Sequence, residues 1–423
     1  MEALASIKKS NFSYHTKLPL MTKDNFFTGQ PIFTQLLSLI PRQTVSRLSQ
    51  KYNSNRYCKS FMAYDHLVTM LYQGFFQCLS LRELITGLQA NQNRLLHLGL
   101  SHTPRRSTLS DANSRRSADF FGSLYHQLYQ QLFKSLPDSR PSLKKLFIID
   151  STTIPLFANI MKGAGTAKSN GRKKGGIKAH VMIDAEHNLP CFTLLTEAKH
   201  HDLVFLQTLL VPHGSLVVFD RAYTNYKQFE TWNGQGTTWV TRQKNDASFK
   251  VISEQDITPK SLEKGVLSDQ RVVLGRYSNR YKIPMINARR ITFRDRVKQK
   301  DFVFITNDFD LFPEQIADIY KKRWQIELLF KRIKQRYPLR YFLGDNANAI
   351  QIQIWCMLIC DLLVQTVLLQ VNKSQKRQWS YANLAAMVKH HLMTYIALIP
   401  FLLDPEKSLL GYKPPEIKNN TLF

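Results

Sequence analysis

Acidic residues are scarce in this chain: 31 Asp and Glu face 58 Lys and Arg across 423 residues, a formal charge of +27. Such an excess repels itself unless the usual partner is a polyanion. Nucleic acid is the commonest, while an anionic membrane or a heparin-like chain would carry the same sign. Cysteine is also sparse, with five scattered residues and no CxxC pair, which argues against zinc binding and for a reducing compartment, most simply a cytoplasm. The opening residues, MEALASIKKSNFSYH, have no apolar core, so no secretory leader is expected. The longest apolar stretch, Ile350–Val371, is broken by Gln351, Gln353, Asp361, Gln365 and Gln370. These are costly in lipid, so it reads as a core helix with one wet edge, and no membrane partner is expected. Repeats and low-complexity segments are missing too. What is present, 43% hydrophobic and 11% aromatic residues, is ample for packed cores and excludes a disordered basic chain. At roughly 100–200 residues per domain, the length allows two to four domains.

The patterning changes along the chain. Residues 1–140 lack strand-like alternation and read as helical, including Phe61–Phe76 and a helix from Leu81 to about Leu88 opened by a capping box, Ser80 to Glu83. Thr103-Pro104 opens another helix in a region crowded with Arg105, Arg106, Arg115 and Arg116. This is either a helix-turn-helix-like unit offering its second helix to DNA or an ordinary basic surface helix. From residue 144 the period becomes that of strands: KLFIIDSTTI, then Ile177–Asp184 and Cys191–Thr196 joined by a turn at Ala185–Asn188. A helix over Asp202–Leu210 and a buried strand Leu216–Phe219 follow, giving a mixed α/β order. Strand-like segments return between Trp239 and Thr306, and helices resume from Pro313 to about Leu403.

Two carboxylates stand out against this background. Asp150 lies inside the apolar strand FIIDST, and Asp220 closes the strand LVVFD. An ionised carboxylate in such a place needs a cation or several donors. On neighbouring strands the two would repel each other, and Mg2+ or Mn2+ between them would reverse that repulsion. A nearby Arg or Lys, or a turn N–H, would satisfy either one alone. A third element bears on the choice. Read as a single helix, IYKKRWQIELLFKRIK places Tyr320, Arg323, Glu327 and Lys334 within a sector of roughly 60°.

These residues spell Y-x2-R-x3-E-x6-K, which resembles the signature of the DDE transposases of the bacterial insertion-sequence-four family. Asp150-Ser151-Thr152 and the D-R-A-Y run Asp220 to Tyr223, with Arg221 inside it, resemble that family's first and second aspartate motifs. The resemblance implies a ribonuclease-H-like α/β core over 141–225 and 311–372, interrupted by a β-rich insertion over 226–310. It also implies a helical DNA-binding region over 1–140 and a helical C-terminal region and tail over 373–423. It further implies that Asp150, Asp220 and Glu327 are catalytic and hold two Mg2+ or Mn2+ ions about 4 Å apart. Arg323 and Lys334 would grip phosphates, and Tyr320 would contact DNA near the element's end. The implied partners are double-stranded DNA, as terminal inverted repeats and target, and a second copy in a synaptic complex. The protein is then expected in a bacterial cytoplasm, at the nucleoid when on DNA.

Other cations are further candidates for DNA contact. Lys162–Lys178, with Arg172, Lys173, Lys174 and Lys178, reads as a flexible basic loop and lacks the pattern of a nucleotide-binding loop. Arg289, Arg290 and the cations up to Lys300 form a second run. His180 lies on the strand beside Asp150's and is expected behind the carboxylates or facing phosphate, while His200-His201-Asp202 reads as a helix cap. Cut-and-paste transposition is the leading reading. A metal-dependent nuclease of the same fold and an inactive sequence-specific DNA-binding protein are the alternatives.

Overall fold

The structure is a computed structural model that describes residues 29–134, 144–155, 166–169, 172–197, 205–206, 209–275, 284–339 and 341–410. Among the described residues six α-helices come first: α1 (Ile32–Leu37), α2 (Arg42–Lys51), α3 (Ala63–Phe76), α4 (Leu81–Ala90), α5 (Arg106–Arg115) and α6 (Ala118–Tyr129). The Ser80 hydroxyl caps α4 by accepting from the Glu83 N–H at 3.1 Å. The Glu83 carboxylate reaches one residue further back than the box requires, to the Leu79 N–H at 2.7 Å. A 3-10 segment, Gln92–Leu98, lies in the connection from α4 to α5. That connection is far longer than the helix-turn-helix turn of about 3–4 residues, so α4 and α5 do not form that motif.

The strands are β1 (Leu146–Pro155), β2 (Thr166–Ser169), β3 (Arg172–Asp184), β4 (Leu189–Glu197) and β5 (Leu216–Phe219). After helix α7 (Tyr226–Gly234) come β6 (Thr238–Arg242), β7 (Phe249–Glu254), helix α8 (Pro259–Glu263), β8 (Val266–Leu274), β9 (Ile286–Asp295) and β10 (Lys300–Thr306). They build one sheet in the order β2-β3-β1-β5-β6-β10-β9-β8-β7, with β4 on β3. β1, β5 and β6 run parallel and β3 antiparallel, so β4-β3-β1-β5-β6 is the ribonuclease-H-like arrangement. The strand β6, within the 226–310 segment, thus belongs to the same ladder as β5. β10 joins it edge to edge, and the inserted strands prolong the sheet. Residues 166–169 and 172–175, read from sequence as part of a loop, pair as a hairpin. Of the helix expected over Asp202–Leu210, only residues 205–206 are described as helical, and His200-His201-Asp202 lies outside the described residues.

Alternation along β1 sorts its side chains. Phe147 and Ile149 pack with Phe219, Phe229 and Trp232 on the α7 face. Ile148 points the other way, into a core shared with the later helices. The later helices are α9 (Pro313–Lys321), α10 (Trp324–Arg336), α11 (Ala347–Ser374), α12 (Tyr381–His390), α13 (Leu398–Leu403) and α14 (Pro405–Leu410); α10 to α13 line that core, while α9 packs in a separate cluster with Val218, Val240 and Phe304. The long apolar helix α11 is a core helix, its most apolar window 94% buried. Its polar residues are latches. Gln353 donates to the Pro338 and Tyr341 carbonyls and accepts from Leu343, and Asp361 accepts from Arg332 at 2.7 Å and Tyr381 at 2.6 Å. Helices α3 and α6 cross α11 closely at glycines, since a Cβ at Gly74 would meet Cys360 Sγ at 2.8 Å and one at Gly122 would meet Trp355 at 2.9 Å. The N-terminal helices therefore share one hydrophobic core with α11 and the β1 face.

Candidate active site

Three elements bring the carboxylates together. The parallel register pairs Ile149 with Phe219, so Asp150 and Asp220 are the next residues on adjacent strands, side by side where that pairing stops. Helix α10 lies against β1, with Ile326, Leu329 and Ile333 in the core and Glu327 turned toward the strand ends. Arg323 joins two of the acids. Its Nη1 donates to Asp150 Oδ2 at 2.7 Å and its Nη2 to Glu327 Oε1. Asp220 accepts from the Ala222 N–H at 3.0 Å, capping the 3-10 turn Arg221–Tyr223, and from Arg242 Nη2 at 3.0 Å.

The electrostatics match that geometry. Burial pushes the Asp150 carboxyl up to about 6, with the charges of Asp220 and Glu327 adding to the rise and the Ser151 N–H and Arg323 opposing it. Burial also raises Asp220, but the Ala222 N–H and Arg242 outweigh it and hold the group below its usual range. Three carboxylates from three elements, two of them raising the third, form an oxygen-donor set suited to a hard divalent cation.

Tyr320, Arg323, Glu327 and Lys334 are not carried by one continuous helix. At Lys322 and Arg323 the bonds run i to i+3 (Lys322 N–H to Ile319, Arg323 N–H to Tyr320, Gln325 N–H to Lys322), so a tighter turn separates α9 from α10. Residues there advance by about 120° each, not 100°, which shears the expected stripe. Tyr320 is half-buried against Phe304, ring centroids 5.0 Å apart, with the Arg242 guanidinium 5.8 Å from its ring. Lys334 lies exposed beside Thr152 of the first aspartate motif, donating to its hydroxyl at 2.6 Å and to the Thr153 carbonyl at 3.0 Å.

Several expected DNA contacts lie elsewhere. His180 pairs with Ser151, so the pleat turns it to the face opposite Asp150. It is buried there, stacked on Phe205 at 5.1 Å and bonded to Thr196, which rules out the expected approach to the carboxylates. Lys178, two residues earlier, shares that opposite face. Arg289 is 7% exposed and clamps Asp269 through two bonds of 2.8 and 2.6 Å. A third contact goes to the Leu311 carbonyl, so Arg289 is a strut inside the sheet with no face for DNA. Its neighbour Arg290 is half-buried between Gln243 and Gln270, with its guanidinium over Phe249. Arg116 is likewise buried, bonded to the Ser54 and Phe61 carbonyls. Arg105 and Arg106 are exposed at the start of α5, and Arg221 is exposed beside Asp220. Arg172, Lys173 and Lys174 lie on the β2–β3 hairpin. Sequence reasoning missed Arg242. The signal was there in principle, since parallel strands from one strand-helix-strand unit set their last residues side by side.

The family profile described as "Transposase DDE domain" matches residues 141–363, and one described as "Domain of unknown function (DUF4372)" matches residues 28–101. The chain is 33% identical over 267 residues to a Sinorhizobium fredii protein described as a transposase (y4zB), covering 62% of this chain and 71% of that one. It is 26% identical over 243 residues to a Geobacillus stearothermophilus protein described as a transposase for the insertion element IS5377, covering 57% of this chain and 61% of that one. Among solved structures, the piggyBac transposase synaptic complex with hairpin DNA matches with a TM-score of 0.43 and 9% identity, over 92% of this chain and 81% of that chain. A transposase DDE domain implies use of a divalent metal, and DNA is its partner. The sequence matches, with carboxylates converging from β1, the end of β5 and α10, place this chain among the DDE transposases of bacterial insertion sequences.

Proposed function

We propose that this transposase moves its element by cut-and-paste, freeing the element's ends and joining them to target DNA. Asp150, Asp220 and Glu327 would hold two Mg2+ or Mn2+ ions. Metal bound there would supply activation of a water or a DNA 3′-hydroxyl and charge stabilisation for the leaving 3′-oxygen, the chemistry that hydrolysis and strand transfer share. Arg323 and Lys334 flank the acids and would hold the phosphates on either side of the scissile bond, Arg323 through its planar fork. Tyr320, wedged against Phe304, would meet the DNA near the element's end. Arg221, Arg105, Arg106 and Arg290, with Arg172, Lys173 and Lys174, would follow the backbone. We assign the helical region 1–140 to end recognition, catalysis to 141–225 and 311–372 together with the strand β6 that completes their ladder, and synapsis of two ends to a pair of chains.

The observation that carries this reading is geometric: Asp150 and Asp220 stand side by side at the ends of adjacent parallel strands, and Glu327 on α10 shares Arg323 with Asp150, an oxygen-donor set from three elements that a divalent cation would fit. The test uses purified protein, Mg2+ or Mn2+, and a duplex bearing the element's terminal repeat. Repeat-specific cleavage followed by strand transfer is expected, with both steps lost in Asp220→Asn. Cleavage without transfer would reduce the protein to a nuclease, and binding without cleavage would remove the catalytic assignment.

A further inference from the structure

We propose that Arg242 and Arg323 are counter-cations of the carboxylate site, holding Asp150, Asp220 and Glu327 together before metal enters and yielding them when it binds. The inference rests on the metal-site reading above and goes beyond it, since Arg242 lies in none of the sequence motifs.

Arg242 is placed by register. Val218 pairs with Val240 in parallel, so two residues on, Asp220 and Arg242 stand abreast, and their side chains meet at 3.0 Å. Arg323 reaches Asp150 and Glu327 from the tight turn before α10. The two arginines touch all three acids, so three negative charges meet two positive ones in a half-buried space. Side-chain exposure is 14% for Arg323 and 28% for Arg242, so these pairs are shielded from the screening that makes surface pairs nearly worthless. The Arg242 guanidinium also lies 5.8 Å from the Tyr320 ring centroid and 6.0 Å from that of Phe302, so it keeps an aromatic neighbour if its carboxylate is withdrawn.

The same oxygens cannot serve a guanidinium and a divalent ion at full strength. Each metal ion brings two positive charges into a space already holding two, and like charges at a few ångströms in a shielded site repel strongly. With the carboxylates given to metal, the two guanidinium forks would be free for another anionic acceptor, and DNA phosphate suits their geometry. Arginine and metal are therefore competitors for the acids and allies toward DNA.

The test is titration of the full chain with Mn2+ alone, without DNA, by calorimetry, alongside its melting temperature without metal. Arg242→Gln is expected to melt lower without metal yet bind Mn2+ roughly tenfold more tightly, because one competing charge is gone. Arg242→Lys keeps the charge and should return the affinity to that of the unsubstituted protein. A merely structural arginine would give a lower melting temperature with unchanged or weaker Mn2+ binding, and that result overturns the proposal. If Arg242→Gln does not fold, Arg323→Gln carries the same test with the same two outcomes. Asp220→Asn separates the levels. Undiminished Mn2+ binding in that variant would sink the metal site itself, whereas weakened binding there with no tightening in Arg242→Gln would sink only the exchange.

Discussion

Two groups of acids border the same sheet, and they differ in how their charge is met. At the β3–β4 turn, Asp184, Glu186 and His187 bring ligand-type atoms within 4.8 Å of one another, the tighter cluster by distance alone. Yet Asp184, 1% exposed, already accepts from Lys145 at 2.9 Å, His187 at 3.1 Å, the Glu186 N–H at 2.9 Å and Tyr129 at 3.4 Å. Burial alone would raise it, but the His187 and Lys145 bonds outweigh that and pull it down to about 2. At the candidate active site Asp150 moves the other way, up to about 6. Asp184 is thus saturated by donors, whereas Asp150 is raised first by its burial and then by the charges of Asp220 and Glu327.

That comparison breaks if the two acids respond alike to removal. Asp150→Asn should lower DNA cleavage by on the order of a thousandfold while leaving the melting temperature near that of the unsubstituted protein. Asp184→Asn should do the reverse, with a lower melting temperature and normal cleavage per folded molecule. The arginines offer the second contrast. Arg289→Ala strands Asp269 in the sheet and should cost about 3–5 kcal/mol of stability, measured by denaturant unfolding. Arg105→Ala and Arg106→Ala should leave stability alone and each lower the salt dependence of DNA binding by about one counterion.

A third and smaller effect follows from pH. The folded-state value of Asp184 lies below its ordinary one, so its contribution is complete above about pH 4 and disappears as pH falls through about 2. An acid titration of stability should lose on the order of 2 kcal/mol across that window, and Asp184→Asn should lack that component.

The chemistry was more legible in the sequence than its surroundings. Asp150 and Asp220 were conspicuous because each interrupts or ends an apolar strand, and Glu327 because its spacing from Tyr320, Arg323 and Lys334 resembled a known signature. The break at Lys322–Arg323 was hidden, since nothing in IYKKRWQ forbids a continuous helix and the tighter turn arises as α9 and α10 pack on different parts of the sheet. Arg289 and Arg290 look equivalent in sequence, yet neighbouring strand residues project to opposite faces, and only Arg289 meets a buried acid. His180 failed for the same reason: adjacency of strands does not fix which face a side chain takes. Asp361 is costly in lipid by its charge alone, but its partner Arg332 on α10 is set only by how the helices pack.

The crossing of α5 and α11 has a consequence for the DNA. Asn348, near the start of α11, donates to the Asn113 and Arg116 carbonyls at 2.9 and 2.6 Å, so the end of α5 is tied to the helix against which the catalytic core is built. The span from Arg105 and Arg106 to the carboxylates is then a gauge length set by packed side chains. Each base pair added between two contacts displaces the second by about 3.4 Å along the duplex and turns it about the axis. A substrate held at both places would be measured against that gauge, and one inserted pair would present the wrong phosphate to a site whose frame resists following it.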